Sequence, residues 1–305
     1  MPYALMCGRT AKAVLLTLAL VLGQTSGDGA LAQSPTRLLN QVALEVTSVE
    51  DSSHYLLYRY RLRNSVSSVS GVAGINLDLS AQRGTGVLRL PSTGRFVHGA
   101  EAGVGPISDH VPVGVINPEG WTSGLARRNA ILSWGPREGY ESPNGIVVAF
   151  ADDSASPGGS KEGFGLRSPF LPGVRRFSAE PTLASCCSQY RPGSHGEYPV
   201  PGHFRVSGFT VAPTVRPQDM TIKVLLDDLQ QTCGELRWIT DGAVCSRFRS
   251  TLEPVSGRQA DPEASRTALR TVRGELEAQH GSAKPVNDNA YWLLKVNAEY
   301  LLAYM

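Results

Sequence analysis

The sequence predicts an antiparallel β-sandwich of immunoglobulin-like or jelly-roll-like type over residues 33–213, followed by a small helical bundle over residues 217–305. Three observations indicate this arrangement. Apolar and polar residues alternate in short runs through the first part, as half-buried strands require. Apolar residues then recur at helical spacing after Pro213. The first 32 residues follow a separate pattern, which is typical of a targeting segment.

The N-terminal segment has the layout of a secretory signal peptide. Arg9 and Lys12 precede an apolar run, Ala13–Leu22, and the segment closes with Ala30-Leu31-Ala32 before Gln33. A bilayer span needs about 20 apolar residues, so this run is too short to be one. We therefore expect residues 1–32 to be cleaved near Ala32-Gln33, a mature chain without a transmembrane segment, and a secreted or periplasmic location.

The charge balance counts against nucleic acid as a partner. The whole chain carries a formal net charge of +2, and the first 32 residues contain two basic residues and one acidic residue. The mature chain is therefore left at about +1, whereas nucleic-acid binders carry a clear basic excess that contacts phosphates.

The strands are predicted from period-two runs separated by turn-forming clusters. The clearest run is His54–Arg63, in which four apolar residues share one face and Arg59, Arg61 and Arg63 share the other. The full set of expected strands is Val42–Val46, His54–Arg63, Val72–Leu79, Val87–Leu90, Val111–Ile116, Ala130–Trp134, Ile146–Phe150, Gly163–Arg167, Val174–Ser178 and Phe204–Val211.

Four helices are expected in the second part. The apolar spacing predicts helices over Asp219–Trp238, Ala243–Leu252, Pro262–Gln279 and Ala290–Tyr304. Pro217 suits the first turn of a helix, and Asn287 is expected to cap the last one. Gly274 interrupts the third helix, where a stronger helix former would be favoured.

The cysteines indicate disulfide chemistry. Cys186, Cys187, Cys233 and Cys245 remain after the signal peptide, and an even number in an exported chain favours disulfides. Three pairings are possible. Cys233 with Cys245 is preferred because a short loop could bring them together. Cys186 and Cys187 are adjacent and could pair with each other only in a strained ring, so each could instead reach another partner.

Two sets of motifs are similar to sequences of other exported bacterial proteins. The stretches 237–242 (RWITDG), 276–281 (LEAQHG) and 286–301 (VNDNAYWLLKVNAEYL) resemble the FIMAH-type helical domain found at the C-terminus of many secreted bacterial proteins. The resemblance implies an accessory or attachment module and carries no catalytic residue. The stretches 112–114 (PVG), 118–121 (PEGW), 133–135 (SWG) and 172–175 (PGVR) are similar to uncharacterised exported bacterial sandwich proteins, and this similarity implies no activity.

Several groups of residues could form a binding or catalytic site, and each also has a simpler structural interpretation. Trp121, Trp134 and Tyr140 could form an aromatic platform for a sugar ring, although tryptophan in a sandwich is more often a core residue. The arginine face of His54–Arg63 could attract an anionic polymer, but a solvent face balanced by acids is favoured. Several loop carboxylates could act in a hydrolase, but no two of them form a persuasive catalytic pair.

We expect an exported non-catalytic protein that binds or attaches to a surface polysaccharide or to another exported protein. No catalytic residue, metal site or cofactor is predicted. Two alternatives stay open, namely an exported hydrolase of carbohydrate or peptide with loop carboxylates, and a purely structural exported protein. The sequence leaves the ligand and the oligomeric state undetermined.

Overall fold

The computed structural model describes residues 38–52, 55–79, 113–126, 131–136, 155–182, 205–257 and 259–305. These residues form nine strands and four α-helices. The strands are β1 Val42–Ser52, β2 Tyr55–Asn64, β3 Val72–Asp78, β4 Gly114–Ile116, β5 Trp121–Ala126, β6 Ile131–Pro136, β7 Ser160–Ser168, β8 Leu171–Pro181 and β9 Val206–Val215. The helices are α1 Ile222–Cys233, α2 Gly242–Leu252, α3 Pro262–Gln279 and α4 Asp288–Tyr304.

The strands form two antiparallel sheets. The first sheet has the order β1-β2-β7-β4, and the second has the order β5-β6-β3-β8-β9. The expected alternation is clearest in β2, where Tyr58, Tyr60 and Leu62 are buried while Arg59 and Arg63 are exposed. Two antiparallel sheets with a helical segment after them confirm the coarse fold prediction. The immunoglobulin-like or jelly-roll-like topology stays a prediction.

Aromatic side chains join the two sheets. Tyr60 of the first sheet lies 6.4 Å, centroid to centroid, from Trp134 of the second. Phe164 of the first sheet makes edge contacts with Trp121 at 5.1 Å and with Trp134 at 5.7 Å. Large rings bury much apolar surface and prefer such tilted arrangements. The core between the sheets is therefore built on a few large rings.

Most expected strands are found, with differences at their ends. β5 was not anticipated, because its sequence WTSGLA has a glycine and small polar residues in place of a β-branched run. Two expected strands, Val87–Leu90 and Ile146–Phe150, lie outside the described residues.

The helices begin where a side chain can accept a backbone hydrogen bond. The side chains of Thr221, Asp241, Asp261 and Asn287 each accept from an amide of the following turn. The bounds of α3 match the prediction, and the Asn287 cap is confirmed. α1 ends at Cys233, five residues before the expected end, because Gly234 and a left-handed Arg237 (φ 50°) turn the chain. No helix in the described ranges is both long enough and apolar enough to cross a membrane.

Helix α4 connects the helical segment, residues 217–305, to both sheets. The buried Asn289 Oδ1 accepts a hydrogen bond from the Val46 amide in β1 at 2.8 Å. The buried Asn297 amide donates to the Pro172 carbonyl in β8 at 3.1 Å and to Asp228 of α1 at 3.3 Å. Apolar residues of the sheets and of the helices belong to one continuous core cluster. The division into separate domains at 213–217 stays a prediction.

Candidate functional site

The expected disulfide is present in the helical segment. Cys233, the last residue of α1, and Cys245 in the first half of α2 are bonded, with Cα atoms 5.9 Å apart. This is the pairing preferred from the sequence, and it closes a loop over a sequence separation of 12 residues. Cys186 and Cys187 lie outside the described residues.

The aromatic platform expected as one possibility does not hold for its two tryptophans. Trp121 and Trp134 are each only 1 % exposed, because both indoles pack into the core between the sheets. A sugar ring has no access to either face there. Tyr140 lies outside the described residues.

The arginine face of β2 is balanced by acidic residues, as the simpler interpretation of the sequence expected. The Arg59 Nε lies 3.2 Å from Glu50, and the Arg63 Nε lies 2.8 Å from Glu45. Arg61 also pairs with Glu45, at 3.0 Å. With each guanidinium next to a carboxylate, this face offers an anionic polymer little uncompensated charge.

A polar cluster lies at the start of α4. His280 Nε2 is 2.8 Å from Asp288 Oδ1, and the imidazole stacks on Tyr291 with centroids 3.8 Å apart. Lys295 donates to the Tyr291 hydroxyl at 3.1 Å. Burial lowers the pKa of Lys295, but this hydrogen bond and nearby carboxylates outweigh it, so that the pKa stands above its ordinary value. These contacts connect the end of α3 to the first turns of α4.

A surface cavity of about 580 Å³ opens where the end of α1 faces the start of α2. Its polar lining consists of the side chains of Gln230, Arg237, Thr240 and Arg249, and the Cys233–Cys245 disulfide lies in its wall. We refer to the cavity lined by these four polar residues and two cysteines as the Arg237 cavity. Small-molecule sites in proteins have volumes of about 300–1,000 Å³, so this cavity has a suitable size for a ligand.

The loop between α1 and α2 is held firmly on both sides of Arg237. The amides of Trp238 and Ile239 donate to the Thr232 carbonyl at 2.9 and 3.2 Å, and both side chains are buried. The Trp238 carbonyl accepts from the amide of Asn287 at 3.1 Å. The disulfide closes the same loop. The exposed Arg237 side chain is therefore presented on a well-fixed backbone.

Arg237 itself adopts a backbone conformation that non-glycine residues rarely use. Its φ of 50° lies in the left-handed region, which costs an L-residue about 1–2 kcal/mol. Such conformations persist where the surrounding structure imposes them, and they cluster at functional sites. Leu236 and Trp238 pack towards the core on either side, so the strained residue is the one whose side chain points outward.

Arg237 and Arg249, the two arginines of the cavity, have weaker ion-pair partners than Arg247 of α2. Within the part of the chain that the structure describes, Arg237 makes no ion pair or side-chain hydrogen bond. Arg249 approaches Glu253 at 3.8 Å, near the limit for an ion pair. Arg247, by contrast, pairs with Glu275 on α3 at 3.1 Å. The cavity therefore concentrates positive charge that the described side chains compensate only weakly.

The sequence reasoning missed this cavity. The sequence predicts that the first helix continues to Trp238, and the stretch 237–242 enters only through its resemblance to the FIMAH-type domain. The available signal was the pair of cysteines bracketing a loop that contains Arg237 and Thr240. Arg249 could not be assigned, because only the register of α2 decides which of its arginines faces the loop.

Comparison of the chain with protein-family models, with curated proteins and with solved structures gave no match. The resemblance of the helical segment to FIMAH-type domains stays a prediction.

Proposed function

We propose that the chain is an exported, non-catalytic binding or attachment protein that holds its ligand in the Arg237 cavity. The observation that carries the proposal is the strained Arg237, which has no ionic partner among the described residues, on a loop closed by a disulfide. A loop backbone that is already fixed favours binding, because the backbone needs no further ordering when the ligand arrives. A loop that holds an arginine in an unfavourable conformation, with no partner among the described residues, has the features of a prepared site.

The disulfide also supports the proposed compartment. Disulfides persist in oxidising environments and are rare in the cytosol. The Cys233–Cys245 bond therefore agrees with the secretory pattern of residues 1–32. The resemblance of the helical segment to attachment modules of exported proteins points the same way. We further propose that the two sheets form a sandwich of immunoglobulin-like or jelly-roll-like type that supports this segment.

The test is a binding screen on the protein recovered from the exported fraction of cells that express the full chain. N-terminal sequencing of that material is expected to begin at Gln33. The protein is then mixed with insoluble polysaccharides, with cell-wall fractions and with immobilised exported proteins. Bound protein is measured alongside released sugars and released peptide amines.

We expect the protein to be retained on at least one fraction without release of product. Protein unfolded by urea and then applied under the same conditions is the control, and it should lose the retention. Product release would contradict a non-catalytic role and direct attention to the loop carboxylates. Absence of retention on every fraction would contradict a binding role.

A further inference from the structure

We propose that the ligand of the Arg237 cavity is an acidic polysaccharide, whose uronate carboxylate is bound between the guanidinium groups of Arg237 and Arg249. This inference rests on the proposed binding function and names the chemical class of its ligand. It follows from the charge, the size and the lining of the cavity.

The charge of the lining selects an anion. A guanidinium stays protonated in proteins, and it offers a planar set of donors that matches a carboxylate in a two-pronged contact. Among the residues that the structure describes, the lining contains two guanidinium groups and no carboxylate. The nearby Asp241 carboxylate already accepts the Ala243 amide at 2.7 Å, as the cap of α2. Of the two guanidinium groups, Arg237 therefore has no acceptor among the described residues, and Arg249 has only a distant one.

The amount of charge favours an anion of one to two charges. Arg249 is partly compensated by Glu253 at 3.8 Å, whereas Arg237 has no carboxylate partner within the described ranges. The uncompensated charge thus lies between one and two. A sugar carboxylate carries a single negative charge at neutral pH, while a phosphate monoester carries about 1.5 to 2. Both charges lie in this range, so the choice of a sugar carboxylate rests on the size and the remaining lining of the cavity.

The size and the remaining lining point to a sugar. A water molecule occupies about 30 Å³, so a cavity of about 580 Å³ is far larger than a bare ion requires. Gln230 and Thr240 add side chains that both donate and accept hydrogen bonds, which suits the hydroxyl groups of a sugar. The disulfide supplies a less polar wall against which a ring can lie. A carboxylate on a hydroxylated ring fits all of these features.

The test measures the affinity of the exported protein for three soluble polymers. Polygalacturonate carries carboxylates, dextran sulfate carries sulfates, and dextran is neutral. The variants are Arg237→Gly and Arg249→Gln, with Arg247→Gln as the matched control from the same helix. Glycine tolerates the left-handed backbone at position 237, so that variant removes the side chain without adding strain.

We expect the native protein to prefer polygalacturonate over both other polymers. Loss of a hydrogen-bonded charge pair weakens binding by about tenfold or more, so Arg237→Gly and Arg249→Gln should each show this loss. Arg247→Gln should bind as the native protein does. Urea unfolding should show that Arg237→Gly is no less stable than the native protein, so that its loss of affinity cannot come from misfolding.

Three results would overturn the inference. Equal binding of dextran and polygalacturonate would show that charge is not recognised, although the proposed binding function would stand. Preference for dextran sulfate through the same two arginines would replace the carboxylate by a sulfate. Polygalacturonate binding that Arg247→Gln weakens as much as Arg237→Gly would indicate diffuse attraction rather than a site. Failure to bind any polymer or any cell-wall fraction would instead remove the binding function itself.

Discussion

Two tyrosines of β2 show that the effect of a buried hydroxyl on stability depends on its hydrogen-bond partner. Tyr58 and Tyr60 are both almost completely buried, on the same face of the strand. The Tyr58 hydroxyl donates to the Phe170 carbonyl at 2.7 Å, whereas the Tyr60 hydroxyl has no partner among the described residues. Burial raises the pKa of both tyrosines well above its ordinary value, and Tyr60 adds to the effect on Tyr58.

We expect opposite effects from removing these two hydroxyls. Tyr58→Phe should lower the free energy of unfolding by about 1 kcal/mol, because it leaves the Phe170 carbonyl without its donor. Tyr60→Phe should be neutral or stabilising, because it removes a buried polar atom that has no described partner. Urea denaturation at pH 7 measures both effects, and each variant is the control for the other. Equal losses would contradict the assignment.

The same two variants test how the free energy of unfolding depends on pH. The folded pKa of each tyrosine lies above the unfolded value of about 10. The contribution of each tyrosine to the free energy of unfolding is therefore intact below pH 10, and it is lost as the pH rises towards the folded pKa. Each buried tyrosine then reduces the stability by up to about 1.4 kcal/mol per pH unit. Repeating the denaturation at several pH values above 10 should give a shallower decline in either Phe variant than in the native protein.

At the scale of elements, α3 contains a glycine that its structure does not need. Gly274 is exposed in the middle of the helix, and a Cβ atom placed on it would have nothing within 4 Å. Gly281, just after the helix, has a φ of 137°, which side chains rarely adopt. The two glycines therefore differ in whether the backbone requires them.

We expect Gly274→Ala to raise the free energy of unfolding by about 0.5–1 kcal/mol, because alanine loses less backbone entropy in a helix. Gly281→Ala should lower it, because alanine is strained at that φ. Thermal unfolding followed by circular dichroism measures both variants. A loss of stability in Gly274→Ala would mean that α3 is not a regular helix at this position.

The elements also show where sequence reasoning is sufficient. The bounds of α3 and the Asn287 cap follow from local signals, since a cap residue and a helical stripe lie within a few residues of each other. β5 has no such signal, because its place depends on pairing with β6. The end of α1 does have a local signal in Gly234, since glycine is typical just after a helix, whereas the hydrogen bonds of Trp238 with Thr232 and Asn287 that fix the following loop have none.

The candidate site could be predicted only in part, for a related reason. The disulfide between Cys233 and Cys245 was accessible from spacing and compartment. The cavity beside it depends on which way Arg237 and Arg249 face, and this is decided by a left-handed residue and by the packing of α2. The burial of Trp121 and Trp134 likewise depends on how the two sheets face each other.

At the scale of the whole molecule, buried asparagines join the helical segment to the sheets. Asn297 is completely buried, and its amide reaches both the Pro172 carbonyl of β8 and the carboxylate of Asp228 in α1. Asn289 connects α4 to the Val46 amide of β1 in the same way. Buried hydrogen bonds of this kind are costly to leave incomplete, so the sheets and helices should depend on each other for stability.

We therefore expect the folded chain to unfold in one cooperative transition, and we expect Asn297→Ala to lower its midpoint without splitting it. The variant should lose about 1–3 kcal/mol, because it removes a buried amide that donates to the Pro172 carbonyl and to the Asp228 carboxylate. Tryptophan fluorescence reports on Trp121 and Trp134 between the sheets as well as on the two tryptophans of the helical segment, and circular dichroism at 222 nm reports mainly on the helices. Coincident transitions by both probes would indicate a single unit.

Lys223→Gln, which removes an exposed pair with Asp227, is the control and should change the stability by less than about 0.5 kcal/mol. Two separate transitions in the native protein would instead support independent domains that meet near residue 213, and the loss in Asn297→Ala would then be confined to the helical signal.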